Sequence, residues 1–214
     1  PQGFLGDGAN EVLSILNPTD EEVTVTLTTF GSGVGLGPAR ANEIQLEPET
    51  SQDVALEDLE FVLNEGVELA HIGVVVTSNN GVPIVVERTI SVSDEGAGRT
   101  QEVGLTQAGT TWMLPPVARN ASEDELVFLN AGRRTARIDA EILTLDGTVR
   151  PKALQDMKVA RAGRVEKSLS EIDVEEPFYV VVTSDNPITV ERRASVGDDI
   201  ADLMGRSVDP PEDG

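Results

Sequence analysis

Between Val23 and Thr28 apolar and polar residues alternate without a break: Val23, Val25 and Leu27 in one phase, Thr24, Thr26 and Thr28 in the other. A period of two sends the sets to opposite faces of a pleated chain, which predicts a half-buried β-strand. The alternation returns at Ala136–Glu141, where Ala136, Ile138 and Ala140 hold the apolar phase and Arg137, Asp139 and Glu141 the polar one. Val74–Val76 and Val180–Val182 are apolar at every position, the pattern of a central strand covered on both faces. Gly, Pro and Asn separate these runs. Asn80-Gly81, and Asp185-Asn186 before Pro187, supply turns into the next strand. Helix is confined to short turns within 53–63 and 198–204; the latter places Ile200, Leu203 and Met204 on one face behind an Asp cap.

The chain also repeats itself. Val74–Arg88 reads VVVTSNNGVPIVVER and Val180–Arg192 reads VVVTSDNPITVER, and such self-similarity fixes architecture before any motif is weighed. An offset of 113 carries Asn17 to Asn130, Val23, Val25 and Leu27 to Ala136, Ile138 and Ala140, and Pro38 to Pro151. It also carries Ile44 and Leu46 to Met157 and Val159, and Leu56 to Leu169. A slip of one residue would exchange the faces of every strand, so the preserved phase argues for a common scaffold. The offset drops to 106 between Val74 and Val180, placing a longer segment near 60–69 and a longer turn at 79–81 in the first copy. The reading is an all-β chain of two tandem immunoglobulin-like β-sandwich domains related by internal duplication, with about seven strands each. They span 1–109 and 110–208 and precede an acidic, disordered tail at 209–214. Trp112 opens the second domain, with Pro115-Pro116 as a stiff kink.

Composition narrows the partners. Acids outnumber bases 38 to 16, a net charge of −22, which repels phosphate backbones and disfavours nucleic acid and anionic membrane surfaces as partners. With no cysteine, disulfides and thiolate metal sites are excluded. No apolar run reaches the ~18 residues that cross a bilayer. Because the chain opens on Pro1, a signal peptide or anchor is expected to lie outside it.

The order Trp-Met-Leu-Pro, a Leu-Asn step (Leu16-Asn17, Leu129-Asn130), an alternating strand, and Val-Val-Val-Thr-Ser leading to Pro-Ile-x-Val-Glu-Arg resembles a family of actinobacterial secreted or envelope-associated proteins of unknown function. Those proteins are built from tandem sandwich repeats, and the resemblance covers roughly 10–208. It implies an extracytoplasmic location and no known activity. A Trp-type opening strand precedes the second repeat but not the first, as if the chain began inside a longer array. Adhesion-type sandwiches share the flavour of Asn17–Thr29 and are the rival assignment.

Few residues suggest chemistry. Counting along each strand puts Arg88 and Arg192 in the core phase, with Glu87 and Glu191 turned outward. A buried guanidinium needs partners. One reading is a small-anion or acidic-peptide pocket; the other is a structural arginine paired with a loop Asp or carbonyls, or a β-bulge that resets the phase. Acidic clusters raise calcium as a possible ligand, with Asp7, Asp94, Glu95 and Glu123 as the candidate metal residues near the junction. The single histidine, His71, removes the usual Ser-His-Asp and metal-imidazole arrangements. The glycines of GSGVGLG (31–37) lead into Pro38 with no helix or lysine to hold a phosphate. Trp112 and Tyr179 are read as core residues. No catalytic or cofactor residue is assigned. The expectation is a non-enzymatic extracytoplasmic structural or interaction module, a stalk, spacer or docking surface whose partner is a protein or cell-envelope component. The alternatives are a calcium-rigidified adhesion-type module and, remotely, a carboxylate-pair enzyme.

Overall fold

The computed structural model describes residues 3–5, 9–31, 41–59, 70–92, 98–117, 121–170, 172–174, 177–196 and 199–208. Asp7, Asp94, Glu95, Pro38, the 60–69 segment, most of the glycine stretch and the 209–214 tail lie outside them. The chain forms two compact units, Pro1–Gly104 and Leu105–Gly214. Every described strand pairing is antiparallel.

In the first unit one sheet runs β1 (Gly3–Leu5), β6 (Ala70–Ser78), β3 (Val23–Gly31), β4 (Ala41–Leu46). The other runs β5 (Ser51–Ala55), β2 (Ala9–Leu16), β7 (Val85–Val92), β8 (Gly98–Val103). The period-two phase decides what is buried: Val23, Val25 and Leu27 are wholly buried while the intervening threonines are half-exposed. Leu13 and Ile15 of β2, with Leu46, Val54, Leu56 and Ile72, complete the core. A short strand without a tryptophan opens this unit: β1 pairs with β6, Gly3 opposite Ile72.

In the second unit the strands are β9 (Gly109–Leu114), β10 (Glu123–Asn130), β11 (Ala136–Thr144), β12 (Gly147–Val149), β13 (Met157–Val159), β14 (Gly163–Ser168), β15 (Tyr179–Val196), β16 (Asp199–Met204) and β17 (Arg206–Ser207). β15, 18 residues long, joins both halves of the unit. Its first part, Tyr179–Ser184, pairs with β11 and, at Val180–Thr183, with β9. Its second part lies between β10 and β16. The register against β9 shifts between Thr183 and Ile188. The Asp185-Asn186 turn read from sequence is therefore a bulge within one continuous strand, and Pro187, which has no N–H to donate, sits in the irregular stretch. Trp112, Leu126, Phe128, Ile138, Ile142, Val180, Val182 and Val190 form the core.

Two further expectations are corrected. Residues 199–204 form β16 rather than a helical turn. Pairing with β15 from Val196↔Asp199 to Glu191↔Met204 outweighs so short a helix, which is unstable alone. Tyr179 is 48% exposed and is not a core residue, whereas Trp112 is wholly buried with its indole N–H on the Gly109 carbonyl.

Both units use one corner device. Asn17 is fully buried; its side-chain nitrogen donates to the carbonyls of Glu21 (2.7 Å) and Glu47 (3.0 Å), and its oxygen accepts from the Thr19 N–H (3.1 Å). Asn130, also fully buried, donates to Arg134 O (2.8 Å) and Val159 O (3.1 Å) and accepts from Gly132 N–H (2.9 Å). The Arg134 and Gly132 groups stand 113 residues beyond those of Glu21 and Thr19. Cross-loop bonds match too: Glu49 N–H to Thr19 O (2.9 Å) and Ala162 N–H to Gly132 O (3.2 Å). Glu49 (φ 55°) and Ala162 (φ 49°) both adopt the left-handed backbone that side chains ordinarily avoid.

Removing either asparagine side chain strands carbonyls and an N–H in a buried corner. Asn17→Ala and Asn130→Ala are each expected to cost about 2–4 kcal/mol, read by urea denaturation. The Asp185 carboxylate is held below its ordinary value of 3.8, first by the Arg137 N–H and then by the Asn186 amide. A depressed native value stabilises above the unfolded pKa and is lost as pH falls through the native one. Asp185→Asn is therefore expected to melt below the native chain at pH 7, with the gap closing as the buffer is taken below the ordinary value of 3.8.

Candidate functional site

The inward phase of β15 runs Ile188, Val190, Arg192, Ala194, with Arg192 opposite Leu126 of β10 and Leu203 of β16. Placing a guanidinium among such neighbours demands compensation. Arg192 is 1% exposed. Its Nε and Nη2 donate to the two Asp124 oxygens at 2.8 and 2.7 Å. Nη1 donates to the carbonyls of Pro115 (2.7 Å) and Phe178 (3.0 Å). The guanidinium carbon stands 4.6 Å from the centre of the Phe178 ring, within reach of a cation–π interaction. Four of the five N–H donors are thus directed at the protein's own acceptors, and the bidentate pairing neutralises the charge. The clamp ties β10, the diproline segment after β9 and the approach to β15 to one point.

Arg88 occupies the corresponding place on β7, opposite Leu13 of β2 and Glu102 of β8. Its Nε lies 3.8 Å from Glu11 Oε1, with the Glu11 side chain 1% exposed. The offset of 113 that carries Asn17 to Asn130 carries Glu11 to Asp124. The acid is therefore repeated along with the arginine. Sequence reading singled out the arginines and missed their acids, although both acids stand in the inward phase at the shared offset.

The alternate face of the β10–β15–β16 sheet holds a second surprise. Glu191 does point away from Arg192, yet it is fully buried rather than turned to solvent. Asp202 and Arg164 are also buried, and Arg164 Nη1 lies 2.6 Å from Glu166 Oε1. Val127 and Leu129 are buried on the same face. The unbroken apolar run Leu126–Leu129 carried that signal, since a strand covered on one face only would alternate.

Of the calcium candidates, only Glu123 is described. Its Oε2 accepts from Ser195 Oγ at 3.2 Å, and Ser195 Oγ is 3.2 Å from Ser122 Oγ. Among the described residues no three of His, Asp or Glu gather as metal ligands would, and no helix is long and apolar enough to cross a membrane. The paired serines have a carboxylate neighbour in Glu123.

The clamp makes a measurable demand. Asp124→Ala, which abandons a buried cation, is expected to cost about 3–5 kcal/mol, and Arg192→Met combined with Asp124→Leu to recover most of that loss. Urea denaturation of the three proteins checks both statements.

Among known proteins, the model of a family described as a family of unknown function (DUF5719) matches residues 5–203. No curated protein and no solved structure matches.

Proposed function

The chain belongs to this family of unknown function, and we propose that it is a non-enzymatic, extracytoplasmic structural or interaction module: a stalk, spacer or docking surface made of two immunoglobulin-like sandwich units that arose by duplication. The observation that carries this reading is the recurrence of the same holding devices in both units. The Asn17 and Asn130 corners match donor for donor, and the Glu11–Arg88 and Asp124–Arg192 pairs occupy equivalent places. What the two copies share is scaffold. Arg192, the strongest candidate for an anion pocket, serves as an internal tie. The matched family span runs through both units, so the pair is the natural object to test.

The location rests on the resemblance stated above, and composition is compatible with it. A cysteine-free chain of net charge −22 stays soluble without thiol chemistry and suits an exposed setting on the cell envelope, facing a protein or envelope component.

Thermal melts in EDTA, in calcium and in sodium chloride of matched ionic strength test the reading. Equal stabilisation by both salts is expected, from simple screening of the negative field. A rise of several degrees specific to calcium would overturn the plain spacer in favour of a calcium-rigidified module, because only ligands that prefer the native form stabilise it.

A further inference from the structure

The two asparagine corners share a backbone and carry opposite charge. Around Asn17 the loops present Asp20, Glu21, Glu22, Glu47 and Glu49, all exposed. Around Asn130 they present Arg133, Arg134, Lys158 and Arg161, likewise exposed. Position by position at the offset of 113, Asp20 becomes Arg133, Glu21 becomes Arg134, Gln45 becomes Lys158 and Pro48 becomes Arg161. Glu47 and Glu49 become Ala160 and Ala162. Arg137 stands beside Lys158 but is already paired with Asp156 at 3.1 Å and is left out of the patch. Four of only 16 basic residues in a chain of net charge −22 thus share one corner.

Folding does not require this. The corners are stitched by the asparagine amides and by backbone bonds, and exposed side-chain charges contribute little to stability. The shared stitching, including the left-handed residues Glu49 and Ala162, gives both corners the same rigid backbone outline. Only the sign presented to solvent is inverted.

We propose that the basic corner of the second unit is a docking surface for a second copy of this chain, which it engages through that copy's acidic corner in the first unit. The occupant is identified by charge complementarity: a corner of opposite sign to the arginines and lysine is present on every copy. Such a contact joins unlike surfaces, so it is made either reciprocally within a pair of copies or head to tail along a series of them. Whole molecules of the same net sign repel at long range. The contact therefore forms where salt screens the distant charge, near the physiological Debye length of about 8 Å, and is lost toward 1 M salt, where that length is about 3 Å.

Sedimentation velocity of the full chain, over rising concentration and salt, tests this. One charge-reversed protein carries Arg133→Glu, Arg134→Glu, Lys158→Glu and Arg161→Glu; the other carries Asp20→Lys, Glu21→Lys, Glu47→Lys and Glu49→Lys. Circular dichroism and melting first establish that each remains folded. The native chain is expected to associate at physiological salt and to dissociate toward 1 M. Each variant alone is expected to stay monomeric, and their equimolar mixture to associate again. A native chain that stays monomeric at every concentration and salt, or a variant that associates as the native chain does, overturns the proposal. So does a monomeric native chain that binds polyglutamate through the same four basic residues, which would assign the corner to another acidic partner.

Discussion

A buried polar group must find a partner inside the protein, and the corner asparagines meet that requirement for the whole of each unit. The loop between the second and third strands of a unit, and the turn that follows the next short strand, bring several carbonyls out of reach of water. A single amide answers them, with two donors on one side and an acceptor on the other. Without it, the alternating strand would still have an apolar face, but only the backbone bonds across the loops would fix where that strand enters the sheet. Hydrophobic phase chooses the face; the amide chooses the position. The core residues Val23–Leu27 and Ala136–Ala140 depend on that choice.

Much of the architecture was legible because two periodicities reinforced each other: the two-residue alternation within strands and the 113-residue spacing between matching residues of the two units. Those signals carry the all-β class, the strand phases and the inward placement of both arginines. They are blind to lateral neighbours. Nothing in the alternation of β15 says that its alternate face would also be covered, so Glu191 read as solvent-facing. Nor does a local Asp-Asn-Pro step distinguish a reversing turn from a bulge that lets the strand run on. Residues 199–204 misled for a similar reason, since their helical spacing is real but a neighbouring strand edge offers more hydrogen bonds than one isolated turn.

The candidate site was half legible. Arg88 and Arg192 announced themselves by standing in an apolar phase, and their acids did not, because Glu11 and Asp124 differ in residue type and lie on another strand. Once the pairs are seen together, the chemistry changes character. A guanidinium whose donors end on a carboxylate and two carbonyls is a fastener, and its desolvation is offset by geometry. Polar residues inside these units mark where distant segments are joined.

β15 gives the second unit a mechanical property that the first lacks. In the first unit the equivalent strands, β6 and β7, end and restart across the irregular stretch 79–84 and belong to different sheets. In the second, Tyr179–Val196 is one uninterrupted strand, and a displacement of one half is transmitted along covalent backbone to the other. Both halves hang their hydrogen-bond ladders on one strand, so opening either half disturbs the end of the other's pairing. In the first unit the corresponding pairings belong to two separate strands in two sheets, so a break in one ladder does not lie on the same strand as the other.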